Sequence, residues 1–274
     1  LLSNIYFYLS AMKYTCLRNG AVALTIVVTL NACQQPAAPT LLVDPIPTGL
    51  VAAKSRLKTM VRSGNNFYNE YSYAYNAAGQ LVSYTLRTRK DAGVPSQTTR
   101  FTYDQQGRLR AAERLPADQF TSARLTYDYD NNGLLKLVDI YEDINRNGQF
   151  PLTQTIGFTY NADKLPVQTT VTTGSRVETT KYTYEQANIV KSERLVSSPV
   201  GQSSETIMYK HDTTPNPMYG LLMATPTVEV FNKNNILYDG CEMTYTDGML
   251  TTLRPDPKRV PTENWQVTYA YEKN

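Results

Sequence analysis

The stretch Tyr103-Asp104-Gln105-Gln106-Gly107-Arg108-Leu109 constrains the fold of this chain more than any other. Asp104 is placed to accept hydrogen bonds from backbone N–H groups ahead of it. Gly107 is free to take the positive φ that closes a type I turn with a G1 bulge. Two strands must therefore leave the turn antiparallel, with Tyr103 and Leu109 opposite each other on one face. Such an aromatic–aliphatic pair contributes ~0.2–1 kcal/mol.

Copies of this turn recur along the chain. The pattern is clear at Tyr75-Asn76-Ala77-Ala78-Gly79-Gln80-Leu81 and at Tyr129-Asp130-Asn131-Asn132-Gly133-Leu134-Leu135. Tyr184-Glu185-Gln186-Ala187-Asn188-Ile189-Val190 puts Asn188 in the place of the glycine, and Asn tolerates the left-handed region better than other side chains. Tyr160-Asn161-Ala162-Asp163-Lys164-Leu165 and Tyr245-Thr246-Asp247-Gly248-Met249-Leu250 read as one residue shorter, the second with an Asp-Gly hairpin signal. Tyr75, Tyr103, Tyr129, Tyr160 and Tyr184 are separated by 24 to 31 residues, a period of about two strands with loops of varying length.

Between turns the residues alternate. Leu125, Tyr127 and Tyr129 interleave with Arg124, Thr126 and Asp128, and Tyr71, Tyr73 and Tyr75 with Glu70, Ser72 and Ala74, so one face is aromatic and the other wet. By the same alternation Arg108, Arg110 and Arg114 read as an outward, solvated face. The expected fold is all-β: an antiparallel up-and-down meander of about sixteen strands, curled into a single-layer shell or barrel over residues 50–274. A two-sheet sandwich and a transmembrane barrel are the rivals. The aromatic face reads as an interior filled by tyrosine rings.

Upstream of this domain the chain changes character. Residues 1–11 precede the first methionine, Met12, and read as an extension of the true start. Lys13 and Arg18 then form a basic region, and Ala21 to Leu30 an apolar one too short to span a bilayer, which needs ~20 residues. Residues 12–32 are thus an export signal. Leu30-Asn31-Ala32-Cys33 resembles the bacterial lipobox, and the resemblance implies lipid attachment at Cys33. Several acyl chains would give stable membrane anchoring at ~0.8 kcal/mol per buried CH₂. Residues 33–49 carry four prolines and read as a tether. Gln34 after the cysteine, where the resemblance would put Asp for inner-membrane retention, implies the outer membrane of a Gram-negative envelope.

Charge and reactive side chains restrict function further. Without Lys13 and Arg18 the chain carries 25 basic and 24 acidic residues, a balance that gives no electrostatic footprint for nucleic acid. Cys241 is the one cysteine beyond the anchor and reads as a small buried apolar residue. His211 is the one histidine, with no nucleophile pattern around it, and no catalytic residue is assigned. Asp143-Ile144-Asn145-Arg146-Asn147-Gly148 matches the opening of a calcium loop, with Asp143, Asn145, Asn147 and Gln149 as oxygen donors. The competing reading is an Asn-Gly hairpin turn. No other cofactor is expected.

The Tyr-Asp-x-x-Gly-Arg-Leu pattern of residues 103–109 resembles the YD repeats of Rhs-type proteins, and residues 55–272 resemble small repeat-bearing bacterial lipoproteins of unknown function. Tyr209 to Gly220 looks like a segment of those lipoproteins, interrupting the repeat with a longer loop. Rhs shells enclose toxins with many more repeats, so the resemblance implies no toxin role here. The functional expectation is a membrane-anchored, non-enzymatic envelope scaffold or interaction module. A lipid or glycan carrier using the aromatic interior is the alternative and a hydrolase the third. A filled interior favours the scaffold and an open aromatic cavity the carrier.

Overall fold

A computed structural model describes residues 55–65, 67–88, 96–116, 121–216, 218–219, 228–238, 241–256 and 265–273. The leader, Cys33 and the tether lie outside the described residues. Twelve strands follow one another in a meander: β1 (Ser55–Gly64), β2 (Phe67–Tyr75), β3 (Leu81–Arg87), β4 (Gln97–Tyr103), β5 (Leu109–Pro116), β6 (Ala123–Tyr129), β7 (Leu135–Glu142), β8 (Leu152–Tyr160), β9 (Pro166–Thr173), β10 (Arg176–Glu185), β11 (Asn188–Ser198) and β12 (Gly201–Met208). The chain then leaves the sheet to form β13 (Lys210–Pro215), the short helix α1 (Val228–Phe231) and β14 (Asn234–Leu237). It returns as β15 (Cys241–Thr246), β16 (Met249–Pro255) and β17 (Trp265–Lys273).

β17 pairs antiparallel with β1, so the last strand adds to the edge where the first began. The result is one fifteen-stranded antiparallel sheet whose outermost strands are β12 and β15, with β13 and β14 as a separate pair. Asn188 and Asn232 connect this hairpin to β11, and Asp212 connects it to Tyr245 of β15. Both ends of the sheet thus reach one hairpin, which requires the sheet to curl. Among the described residues β12 and β15 do not pair, so no strand ladder closes the seam.

The repeated turns act as expected, and each adds a contact across strands. Asp104 Oδ1 accepts from the N–H groups of Gln106 and Arg108, and Gly107 has φ of 76°. Tyr103 opposes Leu109 beside a bulge. Asn76, Asp130 and Asn161 each accept from the N–H four residues on in the same way. The tyrosines of five of these turns, and Tyr271 of β17, each donate the hydroxyl to a main-chain carbonyl near the start of an earlier strand. Tyr75 reaches Leu57, Tyr103 Leu81, Tyr129 Leu109, Tyr160 Leu135, Tyr184 Pro166 and Tyr271 Leu250, at 2.6 to 2.9 Å. Each hairpin is therefore fastened to its neighbour by ring burial and one hydrogen bond.

Two turns differ from expectation. Asn188 does not take the left-handed place of Gly107; Gln186 and Ala187 do, at φ of 50° and 65°, making a two-residue turn between Glu185 and Asn188. A two-residue connection of this hand matches strand twist and moves Asn188 into β11. The turn at Tyr160 is not shortened, because Lys164 occupies the glycine position at φ of 62° and Tyr160 opposes Pro166.

Gly107 gives a direct test of the turn. A Cβ there would sit 3.2 Å from Nε2 of Gln80, the atom that donates to the Gly107 carbonyl, so a side chain adds a steric conflict to the left-handed cost. Gly107→Val is expected to lose about 1–2 kcal/mol or more. Gly133→Asn should lose less, since no atom lies within 4 Å of the corresponding position. Thermal melts of the two variants check this, and equal melting temperatures for both and for the parent protein would reject the assignment.

The inner face is apolar near the repeated turns, with Leu125, Tyr127, Val138, Ile156, Phe158, Val171, Tyr182 and Ile189 buried. The outer face carries Arg100, Glu113, Arg124, Lys136, Lys181 and Glu193, all exposed. A sheet crossing lipid has the opposite arrangement, since a cation on its lipid side costs ~2–4 kcal/mol at the midplane. This outward face belongs to water.

Candidate functional site

The chain's own hairpin occupies the concave side of the sheet. Val228, Val230 and Phe231 of α1 and Ile236 of β14 join the same buried cluster as the inward residues of β5 to β11. Phe231 is fully buried, and its ring meets the Tyr182 ring edge-on at 5.5 Å between centroids. Within the segment expected to be a longer loop, Lys210–Pro215 form β13, and Tyr209 and Tyr219 pack, partly buried, against the same cluster.

Backbone groups entering this interior need partners, and asparagines supply them. Asn232, fully buried, accepts from the Ile189 N–H and donates to the Val228 carbonyl at 2.7 Å. Asn188 and Asn234 exchange two bonds: Asn234 N–H to Asn188 Oδ1 at 2.8 Å and Asn188 Nδ2 to Asn234 Oδ1 at 2.9 Å. Asn216 Nδ2 donates to the Asn232 carbonyl at 2.9 Å. At the opposite end, Asp212 accepts from the Thr214 N–H at 2.9 Å, the Thr214 hydroxyl at 2.6 Å, Asn235 Nδ2 at 3.2 Å and the Tyr245 hydroxyl.

The electrostatics of this network stabilise one arrangement. Burial raises the Asp212 carboxyl, but the bonds from Thr214, Tyr245 and Asn235 outweigh it and hold the group below the ordinary carboxylate range. Burial, then the Asp212 hydrogen bond and charge, push the Tyr245 hydroxyl up to about 12. His211 is half-buried and lowered by desolvation, against the opposing effects of an Asn232 hydrogen bond and the Asp212 charge. Its Nε2 has no partner among the described residues. Asp212 is committed to four donors, which ties β13 to β14 and β15.

A second polar feature lies on the inner face. Arg114 of β5 pairs with Glu142 of β7 through a short Nη2–Oε1 contact, and Glu142 is 1% exposed. Arg114 is not on the outward face that simple alternation assigned to it, while Arg110 is. The bulge between Leu109 and Ala111 changes the parity, placing Ala112 and Arg114 inside.

The calcium-loop residues form the connection between β7 and β8. Asp143 is buried; its Oδ1 accepts from the Asn147 N–H and its Oδ2 from the Gly148 N–H, both at 2.9 Å. Asn147 Oδ1 accepts from the Gln149 N–H at 3.0 Å, and Asn145 is exposed. Arg146 and Gly148 take positive φ, at 55° and 79°. Among the described residues no group of three or more His, Cys, Asp and Glu side chains is arranged to hold a metal. Cys241 is half-buried against the cluster formed by β1, β2, β3, β16 and β17.

The protein is thus an antiparallel β meander of one large sheet, whose inner face over β5 to β11 packs against an inserted hairpin and helix. No protein-family model matches the chain, and no curated protein matches it. Among solved structures, a porin-like protein from Bacteroides uniformis is similar at 13% identity, over 79% of this chain and 96% of that one, with a TM-score of 0.49.

Proposed function

We propose that this chain is a lipid-anchored, non-enzymatic scaffold or interaction module of a Gram-negative outer membrane. The observation that carries the reading is the occupied inner face of β5 to β11: Val228, Val230, Phe231 and Ile236 lie on the side of the sheet that a lipid or glycan carrier would need for cargo. The charged outer face fits a domain held beside the membrane by acylated Cys33. Five tyrosine-to-carbonyl fastenings, from Tyr75, Tyr103, Tyr129, Tyr160 and Tyr184, give the repeated tyrosine a structural reason to recur.

Membrane anchoring is tested at Cys33. The parent protein is expected to fractionate with membranes and to incorporate a palmitate analogue, and Cys33→Ser to do neither. A parent protein without label that stays soluble after fractionation overturns the reading.

A further inference from the structure

We propose that β12 is a self-association edge, pairing antiparallel with β12 of a second copy about a two-fold axis at Ser204. The inference deepens the scaffold reading by naming its partner. It rests on the chemistry of one strand, independent of Cys33.

β12 reads Gly-Gln-Ser-Ser-Glu-Thr-Ile-Met and pairs on one side with β11, from Lys191↔Met208 to Ser198↔Gly201. On its other side no described strand pairs with it. Residues Gly201 to Ser204 are exposed on both faces, so this end of the hairpin projects beyond the occupied inner face. The main-chain phase follows from the pairing: Ser198 and Gly201 flank a two-residue connection, and the Tyr209 N–H bonds the Val190 carbonyl at 2.9 Å. Odd-numbered residues of β12 therefore bond to β11, and Gln202, Ser204, Thr206 and Met208 turn their N–H and C=O groups outward.

Among the described residues, β12 carries few of the devices that protect sheet edges, and its one inward-facing charge is offset by a counter-charge. The strand has no proline, lysine or arginine, and its single charge, Glu205, lies on the inner face 3.7 Å from Arg194. Apolar side chains gather at the same place. Val200 at the hairpin tip is 98% exposed and Met208 69%, with exposed Leu195 and Val177 on the outer face of the adjoining strands.

The strand is complementary to itself in one register. A two-fold axis perpendicular to the sheet at Ser204 keeps inner face beside inner face. It sets Gln202 opposite the partner's Thr206 and Glu205 opposite the partner's Ser203, and brings Met208 beside the partner's Val200 at both ends. The two most exposed of these apolar residues thereby cover each other. Moving the axis by one residue to Glu205 would instead oppose two carboxylates as a close pair, which is destabilising. Isologous contacts of this kind close at a dimer.

The test uses the full chain in detergent. Sedimentation should show a monomer–dimer equilibrium, and Ser204→Pro should weaken it at least tenfold while leaving the melting temperature near that of the parent. Proline is tolerated at an outward-facing N–H of an edge strand. Under mild oxidation Ser204→Cys should cross-link to itself. Gln202→Cys and Thr206→Cys should not cross-link alone but should do so when mixed, because paired Cα atoms in this register lie within disulfide reach. A chain that sediments as a monomer, a dimer unaffected by Ser204→Pro, or cross-linking indifferent to register overturns the proposal. Cys33→Ser should dimerise unchanged, so loss of lipid labelling and loss of pairing report separately on the anchor and the edge.

Discussion

Phe231→Ala is expected to cost about 3–5 kcal/mol, the range for emptying a fully buried aromatic site. The ring is completely buried, packs edge-on against Tyr182 and sits among residues from seven strands, so the surrounding shell cannot collapse easily onto the space left behind. For a domain of this size each kcal/mol lowers the melting temperature by ~2–4 °C, giving a drop on the order of 10 °C. Leu237→Ala, on the same hairpin but 42% exposed, should change stability by less than about 0.5 kcal/mol. Hydrogen exchange at β10 and β11 supplies a second measurement, since the hairpin bonds to that part of the sheet through Asn188 and Asn232. Equal melting temperatures for Phe231→Ala and Leu237→Ala would mean that the inserted segment is not part of the core.

Much of the sheet was legible because strand patterning and turn chemistry are local. Asp104, Gly107 and the alternation around Leu125 and Tyr127 dictate geometry over a few residues, and the structure follows them. The inserted hairpin was not legible for the opposite reason. Nothing local in the sequence marks Asn232, Asn234 and Asn235 for the interior, and their placement makes sense only once Ile189, Asn188 and Asp212 stand opposite, 23 to 46 residues away in the chain. A four-residue helix likewise leaves no periodicity to detect. Asn188 shows the two levels in conflict: its tolerance of positive φ suggested a turn, but its side chain serves a tertiary pairing with Asn234.

Glu142→Ala should be comparably severe and for an electrostatic reason. In register, Arg114 opposes Ala123 and Ala123 opposes Glu142, so the ion pair spans an intervening strand. It meets over Ala123, whose methyl group is short enough to lie beneath both side chains. Removing the carboxylate leaves a guanidinium facing the interior without its counter-charge, at about 3–5 kcal/mol. Replacing both partners, Arg114→Met with Glu142→Leu, removes the desolvation cost together with the attraction and should recover most of the loss. Ala123→Leu supplies an independent check, because a larger side chain in the middle should separate the pair without altering either charge. Chemical denaturation of the parent and these three variants decides the matter. A double variant no more stable than Glu142→Ala would show that the loss comes from packing around Glu142 rather than from the charge of Arg114.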